Sequence, residues 1–275
     1  MLAYVNDELP VLGAALKLST LRRRVVWIIE NQRDLELQDP CLPEVLEGDW
    51  KVQAREICTM LDGHRGRRGV HAPYDGVHVA TPHSSLAVAV RDTLLRALEF
   101  AAAVGGTHLV LHSPFLFFGT AQGAHSAAEV SAAIERTHRN LAAVLEAAAA
   151  QQTALVFENI FDLRPDPIDA LVRSFDSPWV RRSLDAGHAN LMRTRGGPPA
   201  DRWVESSGDL LAHVHLADND GESDRHWAAG EGTINWRSFF FALDQVKPRP
   251  RLILEMSPER QDASVRWLSE RGLAR

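Results

Sequence analysis

Five short stretches decide the fold of this chain: THLVLH (107–112), TALVFE (153–158), RRSLD (181–185), AHVH (212–215) and RLILE (251–255). Each of them finishes on an acid or an imidazole. Apolar strands that end on metal-ligand side chains, repeated around one chain, are typical of a parallel barrel, which carries its site at the carboxyl ends of its strands. The pattern therefore favours a metal-dependent enzyme as the leading hypothesis.

Strands and helices alternate along all 275 residues, a length typical of one α/β barrel. The alternation predicts eight strand–helix pairs in a single (β/α)8 TIM-barrel domain over residues 1–275. We expect strands at 10–18, 34–38, 69–72, 107–112, 153–158, 179–185, 211–216 and 251–255. We expect helices at 21–30, 50–61, 84–104, 127–150, 167–175, 200–206, 236–246 and 261–271. A doubly wound open sheet is the rival fold, but it would gather its site at one switch point and leave the other strand ends unexplained.

Composition narrows the class of protein. The net charge of −6 argues against a nucleic-acid partner, because proteins that bind nucleic acids usually have a basic surface. A local basic patch is still compatible with this net charge. Cys41 and Cys58 are too few for a disulfide framework. The first residues, MLAYVNDELP, lack the layout of a signal peptide, and no apolar run is long enough to span a membrane. We expect a soluble, cytoplasmic protein.

Four candidate metal ligands end consecutive strands, the fifth to the eighth: Glu158, Asp185, His215 and Glu255. Taken singly, such a residue is more often a solvated rim side chain than a ligand. Four on neighbouring strands would converge on one ion in a barrel mouth. Three carboxylates and one imidazole suit Mn²⁺, Mg²⁺, Co²⁺ or Zn²⁺.

Five further residues of ligand type lie near the same strand ends. His71 and His112 end the third and fourth strands, and His188 follows the sixth strand by three residues. Asp224 and His226 form an Asp-x-His pair in a polar loop after the seventh strand. Each has a plain alternative, either a buried histidine bonded to a backbone carbonyl or a solvated turn.

Five motifs carry a resemblance to a known superfamily: FEN (157–159), LDAGHANL (184–191), HVHLADN (213–219), GEGTINW (230–236) and LILE (252–255). With them the chain resembles the xylose-isomerase-like barrels, which include sugar isomerases, sugar 3-epimerases and endonuclease IV. The resemblance covers nearly the whole chain. The motifs are specific for the superfamily and not for any one reaction.

The sugar epimerases imply one assignment. The residues that would hold a single ion are Glu158, Asp185, His215 and Glu255. Both glutamates would also serve as acid–base groups on opposite faces of the substrate, moving a proton through an enediolate. We assign substrate contacts to His188, Tyr74 and Asn159. The chain departs from the epimerases at one position. They carry an arginine six residues after the metal histidine, whereas this chain has Gly221 there.

Endonuclease IV implies another assignment, in which nine residues hold three zinc ions. All nine positions match here: His71, His112, Glu158, Asp185, His188, His215, Asp224, His226 and Glu255. Tyr74 also matches a tyrosine of that site. The departure is the segment 38–50, which has several acids and no arginine or lysine where endonuclease IV carries a basic DNA-binding loop.

The leading hypothesis is a divalent-metal-dependent isomerase or epimerase of a small sugar, polyol or sugar phosphate. The alternative is a multinuclear zinc phosphoesterase, with abasic-site DNA among its candidate substrates. A non-catalytic binding barrel is the third hypothesis, and the intact carboxylates argue against it. We expect one to three ions, zinc or manganese before magnesium or cobalt. The apolar stretch FLFF (115–118) is a candidate lid or homo-oligomer contact, or a loop packed on the barrel rim.

Overall fold

A computed structural model describes residues 9–115 and 125–275, so most of the FLFF stretch and the first eight residues lie outside the described part. Eight parallel strands form a closed barrel in chain order, and β8 pairs with β1. The strands are β1 (Gly13–Leu16), β2 (Leu35–Leu37), β3 (Arg68–His71), β4 (His108–His112), β5 (Ala154–Glu158), β6 (Val180–Asp185), β7 (Leu211–Leu216) and β8 (Arg251–Leu254). The predicted (β/α)8 barrel is confirmed.

Helices cover the outside of the barrel and lie between its strands. They are α1 (Leu18–Glu30), α2 (Pro43–Glu47), α3 (Trp50–Met60), α4 (Ser84–Ala103), α5 (Ala127–Ala150), α6 (Asp166–Ser174), α7 (Ala186–Arg193), α8 (Ala200–Ser207), α9 (Trp236–Asp244) and α10 (Pro258–Glu270). Short 3-10 helices occur at Asp39–Cys41 and Gly208–Leu210. Within residues 9–115 and 125–275, no helix combines the length and hydrophobicity needed to cross a bilayer.

The longest helix, α5, shows how local sequence sets these elements. Ser126 accepts a hydrogen bond from the backbone of Glu129, whose carboxylate in turn accepts the N–H of Ser126, so the helix begins with a capping box. Leu141, Val144 and Ala148 follow at spacings of three and four residues and are buried. This spacing places them on one face, which packs against the barrel.

Several predicted boundaries were wrong. The chain forms β1 over only four residues, and α1 begins at Leu18, three residues earlier than expected. The reason is a cap from a distant residue, because Asp39 accepts the N–H of Leu18 at 2.7 Å and satisfies a free donor of the first turn. The sequence patterns also missed α2 and α7.

Strand alternation fills the lower barrel with polar side chains. Glu36 of β2 pairs in register with Gly69 of β3, and both are buried. A Cβ on Gly69 would lie 1.9 Å from Cε1 of His108, so the imidazole occupies the space that glycine leaves open. His108 can therefore reach across β3 to within 3.3 Å of Glu36.

We expect Gly69→Ala to lower the free energy of unfolding by about 3 kcal/mol, because the added methyl group would displace the fully buried His108 ring. Gly76→Ala is the control, since a Cβ there meets nothing within 4 Å and only its φ of +72° is unfavourable. That strain costs about 1–2 kcal/mol. Urea unfolding measures both variants, and equal losses would contradict the packing of His108 over Gly69.

Candidate metal centre

The four strand-end ligands converge at the barrel mouth. The ligand atoms of Glu158, Asp185, His215 and Glu255 all lie within 4.8 Å of one another. Nδ1 of His215 is 3.1 Å from Oε1 of Glu158, 3.4 Å from Oε2 of Glu255 and 3.9 Å from Oδ2 of Asp185. Three of the side chains are buried, whereas that of Glu255 is 15% exposed. One imidazole nitrogen thus faces three carboxylates, one of which is open to the mouth.

This cluster fits a divalent cation. Oε2 of Glu158 and Oδ2 of Asp185 are buried without a hydrogen-bond partner. Buried polar atoms are rarely left unsatisfied, and buried charges normally pair or coordinate metals. A cation held by Glu158, Asp185, His215 and Glu255 would satisfy both oxygens and offset the crowded negative charge. The donor set suits zinc, manganese, cobalt or magnesium.

Electrostatics in the mouth follow from burial and crowding. Burial, together with the carboxylates of Glu158 and Glu255, raises the pKa of Asp185 to about 6. Burial works against ionisation of Glu158 as well, but His215 and other imidazoles hold the pKa of Glu158 well below its ordinary value. Burial lowers the pKa of His112 to about 3, so this ring is neutral near pH 7 and has a lone pair for a metal.

The LDAGHANL motif positions Asp185 through local structure. Asp185 ends β6 and caps α7, because its Oδ1 accepts the N–H of His188 at 2.6 Å. Asn159 holds it from the other side, donating to the carbonyl of Asp185 and accepting its N–H, both at 3.0 Å. Asn159 is fully buried, so its amide orients a ligand. Its contact with substrate stays a prediction.

His71 and His112 form a second group with Glu158, and their ligand atoms again lie within 4.8 Å. Nδ1 of His71 donates to the carbonyl of Ala72 at 2.8 Å, which leaves Nε2 facing Oε2 of Glu158 at 3.5 Å. Tyr74 stacks on the His112 ring with centroids 4.9 Å apart and is 45% exposed. Glu158 is common to both groups, and Tyr74 lies where a substrate could reach it.

The remaining ligand-type residues meet at one carboxylate oxygen. Oδ2 of Asp224 lies 3.3 Å from Nε2 of His188 and 3.1 Å from Nε2 of His226. The loop that carries Asp224 and His226 closes by paired backbone hydrogen bonds between Asp218 and Trp227. Nδ1 of His188 lies 3.7 Å from Oε1 of Glu158, so this third group adjoins the first. All nine sequence-predicted ligands therefore lie around one mouth.

Two residues of β2 and its end were missed as parts of the site. Gln38 donates its amide to Oε1 of Glu255 at 2.6 Å. Glu36 accepts the Nε2–H of His215 at 2.9 Å. The signal was present in DLELQ, in which a glutamate stands between two leucines of a barrel strand. A charge at such a buried position needs partners.

Gly221, where the sugar epimerases carry an arginine, has a structural role. Its φ is +81°, which is unfavourable for other residues, and a Cβ there would lie 2.5 Å from Cγ2 of Thr194. Its N–H donates to Oδ1 of Asn219 at 2.9 Å. A larger residue here would strain the backbone and displace Thr194, and the chain has no counterpart of the epimerase arginine at this position.

Comparisons with known proteins agree with this fold. Over residues 36–271 the sequence matches the family described as "Xylose isomerase-like TIM barrel", and the chain belongs to that family. The uncharacterized protein MJ1311 of Methanocaldococcus jannaschii is 26% identical over 189 residues, covering 65% of this chain and 59% of that protein. The chain thus matches less than two thirds of the length of this curated relative.

Two solved structures share the fold at low sequence identity. A D-tagatose 3-epimerase-like protein superposes with a TM-score of 0.75 and 20% identity, covering 94% of this chain and 96% of that chain. The TTHB071 protein from Thermus thermophilus, soaked with ZnCl2, has a TM-score of 0.72 and 22% identity, with the same coverage of 94% and 96%. At such identities the likeness establishes the fold.

Removing one carboxylate should separate metal binding from stability. We expect Asp185→Asn to leave the metal-free protein as stable or more stable, because asparagine still caps α7 and no longer crowds two glutamates. Zinc at 100 times its dissociation constant should add about 2.7 kcal/mol to the wild type. The same zinc concentration should add little to the variant, as thermal melts with zinc and with chelator would show.

Asp162→Asn is the matched control for this experiment. Burial raises the pKa of Asp162 to about 6 as well, but this carboxylate bonds Ser113 and the backbone of Ile160, outside the ligand groups. We expect it to keep the full response to zinc. An unchanged zinc response in the Asp185 variant would contradict the ligand assignment.

Proposed function

We propose that this protein is a divalent-metal-dependent isomerase or epimerase of a small sugar, polyol or sugar phosphate. One observation carries the proposal: two glutamates, Glu158 and Glu255, converge on Nδ1 of His215 at the barrel mouth, and Glu255 is open to it. A pair of carboxylates beside a cation site suits removal of a proton from one carbon and its return.

Glu255 is the better placed of the two to accept a proton from substrate. Its side chain is partly exposed, and the amide of Gln38 fixes one carboxylate oxygen at 2.6 Å. This hydrogen bond favours proton transfer, because it holds the carboxylate in a fixed orientation before the substrate binds. A cation, when bound, would polarise the substrate oxygens and stabilise their developing negative charge.

Glu158 would act on the proton from the deeper side of the mouth. Its Oε1 faces Nδ1 of His215 at 3.1 Å and its Oε2 faces Nε2 of His71 at 3.5 Å, so a cation held with these imidazoles would stabilise its carboxylate. In this mechanism one glutamate takes the proton, and the other returns one to the enediolate carbon or its neighbour. The glutamate that returns a proton must be protonated beforehand, and exchange of protons with solvent after product release would restore the starting state of both carboxyls.

The structural neighbours and Gly221 bear on the substrate. A D-tagatose 3-epimerase-like protein shares the fold, which supports a sugar as the class of substrate. Gly221 stands in a tight turn where the ketohexose epimerases carry an arginine, so this chain lacks that side chain. We therefore expect a carbohydrate that is held at this end by other groups, among them Tyr74 and His188, whose substrate contacts stay predictions.

A zinc phosphoesterase is the second candidate, and one observation favours it. His71, His112 and Glu158 form a ligand group beside the first, and the two groups share Glu158. Several ions together would suit phosphoester hydrolysis. The segment after β2 argues against duplex DNA as the substrate, because its two short helices carry Asp39, Glu44 and Glu47, and phosphates would be repelled there.

We expect Glu255→Gln to lower kcat by about 10²–10⁴-fold, because glutamine cannot accept the proton. Glu158→Gln should lose as much. The assay is a screen of ketoses, aldoses and their phosphates with manganese, zinc or cobalt, followed by sugar analysis. Glu270→Gln, at an exposed position on the end of α10, is the matched control. Near-normal turnover of either site variant would contradict the assignment of the two glutamates.

The double variant Asp224→Ala with His226→Ala separates the two candidate functions. An isomerase that uses the first ligand group should keep most of its rate, since neither residue belongs to that group. A multinuclear phosphoesterase should lose nearly all of its rate on a phosphodiester such as bis(p-nitrophenyl) phosphate. Elemental analysis of both proteins gives the ions per chain, and two or three zinc ions in the wild type would favour the phosphoesterase.

A further inference from the structure

A second cluster of ionisable side chains lies below the metal centre, within the barrel. Glu36 of β2, His108 of β4 and His213 of β7 are fully buried, and their ligand-type atoms lie within 4.8 Å of one another. Neither Glu36 nor His108 belongs to any group at the mouth. A buried carboxylate is costly unless several partners compensate it, so this cluster needs an explanation.

The two oxygens of Glu36 have different partners. Oε2 lies 3.3 Å from Nε2 of His108 and 2.9 Å from Nε2 of His213. The contact with His213 is at an ion-pair distance and lacks the geometry of a hydrogen bond. Ser183 holds the other face of His213, with Oγ 2.9 Å from Nδ1. Oε1 faces upward and accepts the Nε2–H of His215 at 2.9 Å. His108 and His213 therefore fix Glu36, and Glu36 fixes His215.

This bond decides which nitrogen of His215 serves the metal centre. A neutral imidazole has one N–H and one lone pair, and the partner of the N–H selects the tautomer. With the Nε2–H given to Glu36, the lone pair lies on Nδ1, the atom that faces Glu158, Asp185 and Glu255. The ring also packs edge-on against His213, with centroids 4.7 Å apart, which restricts its rotation.

We propose that Glu36 is a positioning residue of the metal centre, holding His215 in the tautomer and orientation that present Nδ1 to a cation. The inference rests on the metal site of the proposed function. A carboxylate that receives the N–H of a metal-bound histidine also makes the imidazole a stronger ligand. On this assignment β2 and the residue that follows it supply no ligand but support the centre twice, through Glu36 on His215 and Gln38 on Glu255.

Zinc affinity of the full-length protein tests the assignment without any substrate. Metal-free protein competes with a chromophoric chelator for zinc, and urea unfolding gives the stability of each variant. We expect Glu36→Leu to weaken zinc binding by about 10–100-fold, because the Nε2–H of His215 loses its acceptor. Glu36→Gln keeps an oxygen for that N–H, so its loss should be smaller. Glutamine also preserves the volume, which guards against failure of the leucine variant to fold.

His108→Asn is the matched control, because it disturbs the same buried cluster but leaves the bond between Glu36 and His215. We expect it to lower the unfolding free energy but to weaken zinc binding much less than Glu36→Leu does, since His213 still faces Oε2 of Glu36. Cobalt absorption spectra supply a second readout, since a reoriented His215 changes the visible bands of the Glu36 variants and not those of His108→Asn.

The outcomes separate this inference from the proposed function. If the wild type binds no zinc, manganese or cobalt, the metal site of the proposed function is wrong. If the wild type binds zinc and Glu36→Leu binds it equally well, the positioning role of Glu36 is overturned while the metal site stands. A loss of zinc in His108→Asn as large as in Glu36→Leu would also overturn it, since the whole cluster would then matter rather than one bond.

Discussion

The need to compensate buried carboxylates governs the interior of this barrel. Glu36, Glu158 and Asp185 are each at most 1% exposed, and an isolated ionised carboxylate in such a place is strongly disfavoured. Imidazoles surround the two glutamates, whereas Asp185 and Glu158 keep one oxygen each without a partner. The two unpartnered oxygens belong to candidate ligands at the mouth, whereas both oxygens of Glu36, deeper in the barrel, have imidazole partners. This difference distinguishes the candidate metal site at the mouth from the buried residues that hold it in place.

Strand periodicity converts this constraint into a layered arrangement. Residues two apart on one strand lie on the same face, so His213 and His215 both enter the barrel, one layer apart, as do Ser183 and Asp185. The lower member of each pair holds a neighbour in place, and the upper member reaches the mouth. Gly69 allows this packing, because its missing side chain gives the His108 ring its place.

The sequence predicted the architecture well because a closed barrel repeats one local rule eight times, and the strand ends carried chemically distinctive residues. All nine expected ligands lie around one mouth for the same reason. Prediction was weaker where distant residues decide the outcome. Asp39 sets the start of α1 from beyond β2, and the amide of Asn159 bonds the backbone of Asp185, 26 residues further along the chain. The role of Glu36 does not show in the sequence, because its partners are far away along the chain. His108 lies 72 residues and His215 lies 179 residues after Glu36.

The shared position of Glu158 links the two ligand groups of the mouth. An ion at His71 and His112 would draw on the same carboxylate that serves His215 and Asp185, so neither group can bind as though the other were absent. Coupling between two sites is reciprocal: whatever the second ion does to the affinity of the first, the first does equally to the second. The number of ions carried by each molecule would then respond to metal supply, and one polypeptide could present differently composed centres under scarcity and abundance.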